Sequence, residues 1–160
     1  MRVIGVDPGL TATGYGVIDA DGKVPLVRAS GCARSSGKQP LEARLRAIYD
    51  DLRQVLEQWR PGVMVLEGLF SEYQFPRTAI VMGHVRGAIC LAASQAGARV
   101  LEVSPAEVKS ALTGSGRATK EQVQRAITRM LRLEEAPGNE HVCDALALAL
   151  VGAAREGANL

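Results

Sequence analysis

The chain has 160 residues, of which 47% are hydrophobic and 22% are charged, and its formal net charge is +2. This length is enough for one domain with a substantial core, and the composition excludes an intrinsically disordered chain. The segment 104–132 has six basic residues against two acidic ones, a local charge of +4. Such a segment is typical either of a phosphate-contact surface or of a solvated helix face.

The sequence predicts a cytoplasmic protein that does not enter a membrane. The longest apolar stretch, 79–96, is interrupted by charged and polar residues. It therefore has too few consecutive apolar side chains to span a bilayer. The chain begins directly on a predicted strand, so we expect no signal peptide. The three cysteines are scattered and fit reduced thiols. A zinc site on Cys143 and His141 is an alternative, although the Cys-x-x-Cys pairs typical of such sites are absent from the sequence.

The first third of the chain is predicted to form three consecutive antiparallel strands. The apolar residues after Arg2 predict a buried strand that ends at Asp7, and Pro8-Gly9 predicts a turn. Asp21-Gly22 is a hairpin signal between the second and third strands. The predicted strands are 2–7, 14–18 and 24–32.

The rest of the chain is predicted to alternate between helices and strands. Apolar residues at steps of three and four predict a surface helix over 41–59, and 63–67 is apolar enough for a central strand. Ser104-Pro105-Ala106-Glu107 predicts a helix start in which Ser104 caps and Glu107 closes a capping box. The remaining predictions are a helix over 77–96, a strand over 99–103, and helices that end near 114, 133 and 155.

This order of elements predicts an α/β fold, a mixed five-stranded sheet flanked by helices. We expect residues 1–156 to form a single domain and 157–160 a short tail. The first and fourth strands are the expected central neighbours. Their carboxyl ends would then carry Asp7 and Glu67 side by side.

Four polar residues, Asp7, Glu67, His141 and Asp144, occur where apolar stretches end or are interrupted. Buried carboxylates are rare without a partner, and His141 and Asp144, three residues apart, share a helix face. The pattern suggests a divalent-metal site, whose natural substrate is a phosphodiester. Three alternatives are open: Asp7 as a turn residue, Asp144 in a salt bridge to an arginine, and Glu140 as a ligand in place of His141.

Four ordered sequence blocks resemble the RuvC-type Holliday junction resolvases. They are IGVDPG at 4–9 with TGYG at 13–16, EGLF at 67–70, VSPAEVK at 103–109 followed by Lys120, and HVCDALA at 141–147. The resemblance extends over nearly the whole chain with similar spacing. It implies a ribonuclease H-like fold, a homodimer and metal-dependent cleavage of four-way DNA junctions. It also implies a branch-migration helicase partner of the RuvA and RuvB type.

The resemblance also implies roles for individual residues. Asp7, Glu67 and Asp144 would hold Mg²⁺ or Mn²⁺, two ions per site, with His141 as the fourth ligand. Many members have Asp at that position and some have His; an imidazole favours Mn²⁺ over Mg²⁺ and must be neutral to bind. The implied DNA contacts are Phe70 against unstacked bases, and Lys109 and Lys120 on phosphates. Arg117, in the same basic segment, is a further expected DNA contact.

Other interpretations of the same residues exist. Phe70 and Tyr73 are alternatively ordinary loop residues packed under a helix. The small residues of the helix 77–96 suit packing on the sheet, or close contact across a two-fold axis that would include Arg86 and Gly87. DPGLT at 7–11 also resembles the first phosphate loop of actin-like ATPases and sugar kinases, which need a second domain. A non-catalytic nucleic-acid module and a related nuclease acting on structured RNA are the remaining alternatives.

Overall fold

The computed structural model describes residues 1–22, 24–68 and 76–159. Within these ranges the chain forms five strands and five helices. The strands are β1 (Arg2–Asp7), β2 (Ala12–Asp19), β3 (Leu26–Arg34), β4 (Val63–Glu67) and β5 (Arg99–Val103). The helices are α1 (Leu41–Trp59), α2 (Pro76–Gln95), α3 (Pro105–Thr113), α4 (Lys120–Met130) and α5 (Glu140–Arg155).

The strands form one mixed sheet in the order β3-β2-β1-β4-β5. β1, β2 and β3 pair antiparallel, whereas β1, β4 and β5 run parallel. The predicted mixed sheet and the predicted β1–β4 neighbours are therefore confirmed. Val6 lies opposite Leu66 in the register, so Asp7 and Glu67, one residue further along, end adjacent strands on the same edge.

Helices cover both faces of the sheet and divide the core into two clusters. One cluster packs α5 on the face that includes Val3 and Val65. The other packs α1 and α2 on the opposite face, against Ile4, Met64 and Leu66. This division follows from the alternation of side chains along each strand.

The helix α5 lies unusually close to the first two strands, because glycines face it. A Cβ atom on Gly5 would stand 1.9 Å from the carbonyl oxygen of Ala145, and one on Gly14 would stand 2.1 Å from that of His141. No side chain fits such a gap, so glycine is required at both positions for the helix backbone to rest on the sheet. The contact at Gly14 brings the first turn of α5 to the end of β1.

Several element ends differ from the sequence prediction. β3 extends to Arg34 and not Cys32, because its pairing with β2 continues to Ala12. α4 ends at Met130 and not near 133; Leu131 folds into the core and Arg132 has a φ of 49°.

The predicted capping box at the start of α3 is only half right. Ser104 accepts a hydrogen bond from the Glu107 N–H, as expected. The Glu107 carboxylate instead pairs with Arg155 of α5, with Nε 2.6 Å from Oε1. A complete capping box is present at the start of α4, between Thr119 and Gln122.

Two further predictions concern membrane-spanning helices and the bounds of the domain. None of the helices within the described ranges is both long and apolar enough to cross a membrane. The division into a domain of 1–156 and a tail of 157–160 stays a prediction; α5 ends at Arg155, and Ala158 still packs against the core.

Gly14→Ala tests the close approach of α5 to the sheet. We expect it to lower the free energy of unfolding by about 1–3 kcal/mol, because the added methyl group must displace the α5 backbone. Urea denaturation measures this change. Gly62→Ala is the control, since a Cβ atom there meets nothing within 4 Å. Equal stability of the two variants would contradict the packing.

Candidate active site

One cleft of about 660 Å³ lies at the edge of the sheet where β1 and β4 end. Asp7, Glu67 and Asp144 all line it, so the structure brings three of the four predicted ligands to one place. The cleft is also lined by Lys109 from α3 and Lys120 from α4. The opening is therefore built from both strand ends and from the three C-terminal helices.

Asp7 has the most constrained position of the three acids. Its side chain is 16% exposed, and its Oδ2 lies 2.7 Å from Nδ1 of His141. The turn after it is held by the buried Thr13, whose hydroxyl donates to the Gly9 carbonyl at 2.7 Å and accepts from the Gly9 N–H at 3.2 Å. The backbone on the C-terminal side of Asp7 is thus anchored.

The three carboxyl groups repel one another electrostatically. Burial is the main reason that the pKa of Asp7, of Glu67 and of Asp144 is raised above the ordinary value of each acid. The charge of Asp7 raises the pKa of the other two further, whereas Lys120 opposes the shifts at Asp7 and Asp144. Positive charge brought into the cleft would therefore stabilise its ionised form.

The chemistry of these donors fits a hard divalent cation. Mg²⁺ and Mn²⁺ prefer carboxylate oxygens, and a cation would relieve the repulsion among the three acids. Among residues 1–22, 24–68 and 76–159, no three His, Cys, Asp or Glu side chains stand close enough together to enclose an ion without adjustment. Asp7, Glu67 and Asp144 are the side chains that would hold it.

The positions of His141, Glu140 and Cys143 bear on the alternatives left open by the sequence. His141 is not part of the cleft lining and contacts Asp7 directly. Glu140 does line the cleft, and its carboxylate pairs with the Lys120 ammonium. Cys143 also lines the cleft, and burial raises the pKa of its thiol to about 11. The role of His141 as a metal ligand stays a prediction.

The predicted DNA contacts are only partly brought together. Lys109 and Lys120 face the cleft. Arg117 is exposed in the α3–α4 connection but is not part of the cleft lining. Phe70 and Tyr73 lie outside the described residues.

Two residues near the site were missed by the sequence argument. Thr13 and Arg86 are the buried polar residues in the part of the chain that the structure describes. Thr13 holds the turn after Asp7, and Arg86 of α2 donates to the Glu67 carbonyl. The available signal is an arginine in the middle of a helix that is otherwise rich in apolar and small residues.

Comparison with known proteins gives the class and then the family. The solved structure of Thermus thermophilus RuvC has a TM-score of 0.89 at 36% identity, covering 99% of this chain and 98% of that one. A yeast mitochondrial Holliday junction resolvase, at 13% identity and a TM-score of 0.65, shares the fold. The fold and the acid-lined cleft therefore define a ribonuclease H-like nuclease.

The sequence comparisons are more specific. The family model described as crossover junction endodeoxyribonuclease RuvC matches residues 3–152. RuvC of Rhodopirellula baltica is 45% identical over 150 residues, which cover 94% of this chain and 84% of that protein. RuvC of Gloeobacter violaceus is 42% identical over 153 residues, with coverages of 95% and 87%. The chain belongs to the RuvC family of crossover junction endodeoxyribonucleases, which confirms the resemblance found in the sequence.

Asp144→Asn tests the repulsion within the cleft. Because the folded-state pKa of Asp144 is raised, its contribution to stability is present at low pH and is lost as the pH rises through that pKa. Without metal at pH 8, we expect the substitution to raise Tm by about 2–4 °C, the effect of ~1 kcal/mol in a domain of this size. The difference should vanish below about pH 3, where the acid is protonated in both the folded and the unfolded state.

Differential scanning calorimetry measures both parts of this expectation. Mn²⁺ should raise the Tm of the wild type more than that of the variant. Asp50→Asn, on α1 and outside the cleft lining, is the control and should show neither effect. A lower Tm for Asp144→Asn at pH 8 would contradict the electrostatic account.

Proposed function

We propose that this protein resolves four-way DNA junctions by metal-dependent hydrolysis of phosphodiester bonds, leaving 5′-phosphate ends. The observation that carries the proposal is the single cleft in which Asp7, Glu67 and Asp144 meet Lys109 and Lys120, in a chain of the RuvC family. The T. thermophilus RuvC structure in complex with a Holliday junction substrate supports it. That chain matches with a TM-score of 0.92, covering 99% of this chain and 97% of that one.

The acids and the lysines have different roles in this mechanism. Asp7, Glu67 and Asp144 would hold two Mg²⁺ or Mn²⁺ ions, with His141 as the further candidate ligand. When bound, such ions activate water and stabilise the leaving 3′ oxygen. Lys109 and Lys120 bind the phosphates on either side of the cut. Lys120 would exchange its ion pair with Glu140 for a phosphate when DNA binds.

A basic groove beside the cleft extends the surface that we assign to DNA. Three exposed arginines, Arg125, Arg129 and Arg132, line it. Gln124 and Ala136 line both the groove and the cleft, so the two are continuous. The 11 residues of α4 span about 16 Å, roughly five base-pair steps of duplex. The ligand that we assign to these arginines is the phosphate backbone of a junction arm leading away from the crossover.

The outer face of α2 supports a homodimer. Ile80 and Leu91 are 63% and 53% exposed on it, and Cβ atoms on Gly83 and Gly87 would meet nothing within 4 Å. A two-fold dimer through this face would present two identical clefts to the two equivalent strands of a junction. Arg86, which the sequence argument placed in the interface beside Gly87, is instead buried within the protomer.

Two expectations rest on the family resemblance and on the substrate. A branch-migration helicase complex of the RuvA and RuvB type is the expected partner. The expected location is the cytoplasm, where junction DNA is found. Cleavage of structured RNA is the alternative that the family membership does not favour.

Asp7→Asn tests the catalytic assignment. We expect single-turnover cleavage of a four-way junction to fall by more than about 10³-fold, because the variant loses a metal-binding carboxylate. Junction affinity in Ca²⁺ should stay within about twofold of wild type, since the lysines and arginines are unchanged. Asp50→Asn should cut normally. Wild-type protein should prefer the DNA junction to linear duplex and to RNA hairpins; efficient cutting by Asp7→Asn would exclude this site.

Arg129→Gln tests the basic groove. We expect weaker junction binding, and a slope of log affinity against log salt reduced by about one, as for the loss of one phosphate contact. Neutral methylphosphonates about five base pairs from the crossover should weaken binding by wild type but not by the variant. Arg46→Gln, an exposed arginine of α1, is the control. Equal sensitivity of both proteins to the neutral phosphates would argue against the groove.

Gly87→Trp tests the dimer. A large side chain fits the isolated protomer, because the position is open, but it would obstruct close contact between two α2 helices. We expect sedimentation of the variant to show a monomer at micromolar concentration and paired junction cuts to be lost. Gln54→Trp, on the exposed face of α1, should stay dimeric. A dimeric Gly87→Trp protein would place the interface elsewhere.

A further inference from the structure

We infer that Arg86 is a positioning residue of the active centre, which fixes the end of β4 so that the Glu67 carboxylate is presented to the metal site. This inference rests on the proposed function. The Arg86 guanidinium makes two contacts: Nη1 donates to the Glu67 carbonyl oxygen and Nη2 to a carboxylate oxygen of Glu102. One cation of α2 thus ties together the ends of the adjacent parallel strands β4 and β5.

A role beyond packing is indicated by the cost of burying this charge. Arg86 is only 7% exposed, and its neighbours Val85 and Ile89 on α2 are fully buried. Its partner Glu102 is 51% exposed, so this ion pair offsets only part of the cost of desolvating the buried guanidinium. An apolar residue would therefore suffice if the position served the core alone. What such a residue would lack is a donor for the Glu67 carbonyl.

The end of β4 has less support from its neighbours than the middle of the strand. Its register with β1 ends at Leu66, one residue before Glu67. On the other side, pairing with β5 continues to Val103, whose carbonyl accepts from the Gly68 N–H at 2.8 Å. The Glu67 carbonyl itself is held by Arg86. The arginine therefore restrains the peptide group that sets the direction of the Glu67 side chain.

The same contacts connect Arg86 with the DNA-binding side of the cleft. Arg155 of α5 donates to the Glu102 carbonyl at 2.9 Å and pairs with Glu107 of α3. Lys109, which lines the cleft, lies two residues beyond Glu107 on the same helix. Glu102 is thus shared by two arginines, one facing Glu67 and one facing the helix of Lys109. Losing Arg86 should affect the metal site first, since its direct contact is with Glu67.

The test compares Arg86→Met, which keeps an unbranched apolar side chain and removes the donors, with a double variant. Removing Arg86 alone leaves Glu102 without its partner, so Arg86→Met combined with Glu102→Gln guards against misfolding. Groups that orient metal ligands typically change affinity or activity by 10–100-fold. We expect Mn²⁺ affinity, measured by titration calorimetry on DNA-free protein, to fall about 10-fold in both variants. Single-turnover cleavage at limiting Mn²⁺ should fall similarly, with junction affinity in Ca²⁺ unchanged.

Three further variants distinguish a role of Arg86 in positioning Glu67 from a contribution to folding stability alone. Glu102→Gln alone keeps Arg86 and should bind Mn²⁺ like wild type. Arg86→Lys keeps one donor and should recover part of the lost affinity. Arg99→Met removes a surface arginine that pairs with Glu156 at the other end of β5, and is the matched control. It should leave Mn²⁺ affinity and cleavage unchanged.

The outcomes distinguish this inference from the proposed function. Wild-type protein that neither binds Mn²⁺ nor cuts junctions would contradict the function itself. Wild-type protein that does both, together with a double variant of equal Mn²⁺ affinity and cleavage rate, would overturn the role of Arg86 alone. A lower Tm of Arg86→Met with unchanged Mn²⁺ affinity would likewise show that the arginine only supports the fold.

Discussion

The parallel pairing of β1 with β4 is the constraint on which the active site depends. It brings the ends of two strands, separated by more than 50 residues of chain, to the same edge of the sheet, so Asp7 and Glu67 meet there. The third acid arrives because Gly5 and Gly14 let α5 lie directly on these strands. Side chains at either glycine would lift the helix and separate Asp144 from its partners. Backbone packing therefore determines the arrangement of the acids.

This arrangement opposes folding stability, and a cation bound among the acids would relieve the repulsion. Three partly buried carboxyl groups with raised pKa values repel one another, and Lys120 only partly offsets their charge at Asp7 and Asp144. Such sites commonly cost stability while serving function. The surrounding contacts limit the rearrangement that repulsion could cause. Thr13 anchors the turn after Asp7, and Arg86 anchors the backbone at Glu67.

The helices on the two faces of the sheet carry different exposed surfaces. α5, with α3 and α4 beside it, forms the face that carries the lysines and arginines assigned to DNA. α1 and α2 cover the other face, and Ile80 and Leu91 are exposed on the outer side of α2. Arg86 links these regions, because it projects from α2 to the end of β4. The proposed dimer surface on α2 and the proposed metal ligand Glu67 are thus connected through one side chain.

The sequence by itself determined the local elements and the identity of the acids. The bounds of α1, β1, β4 and β5 agree with prediction, because apolar periodicity and turn residues act over a few neighbouring positions. Ordered motifs also indicated the family. Only the tertiary structure decided which polar groups meet: His141 with Asp7, 134 residues apart, Lys120 with Glu140, and Glu107 with Arg155 rather than its own cap. Such pairs depend on how helices pack across the sheet, which no local pattern encodes.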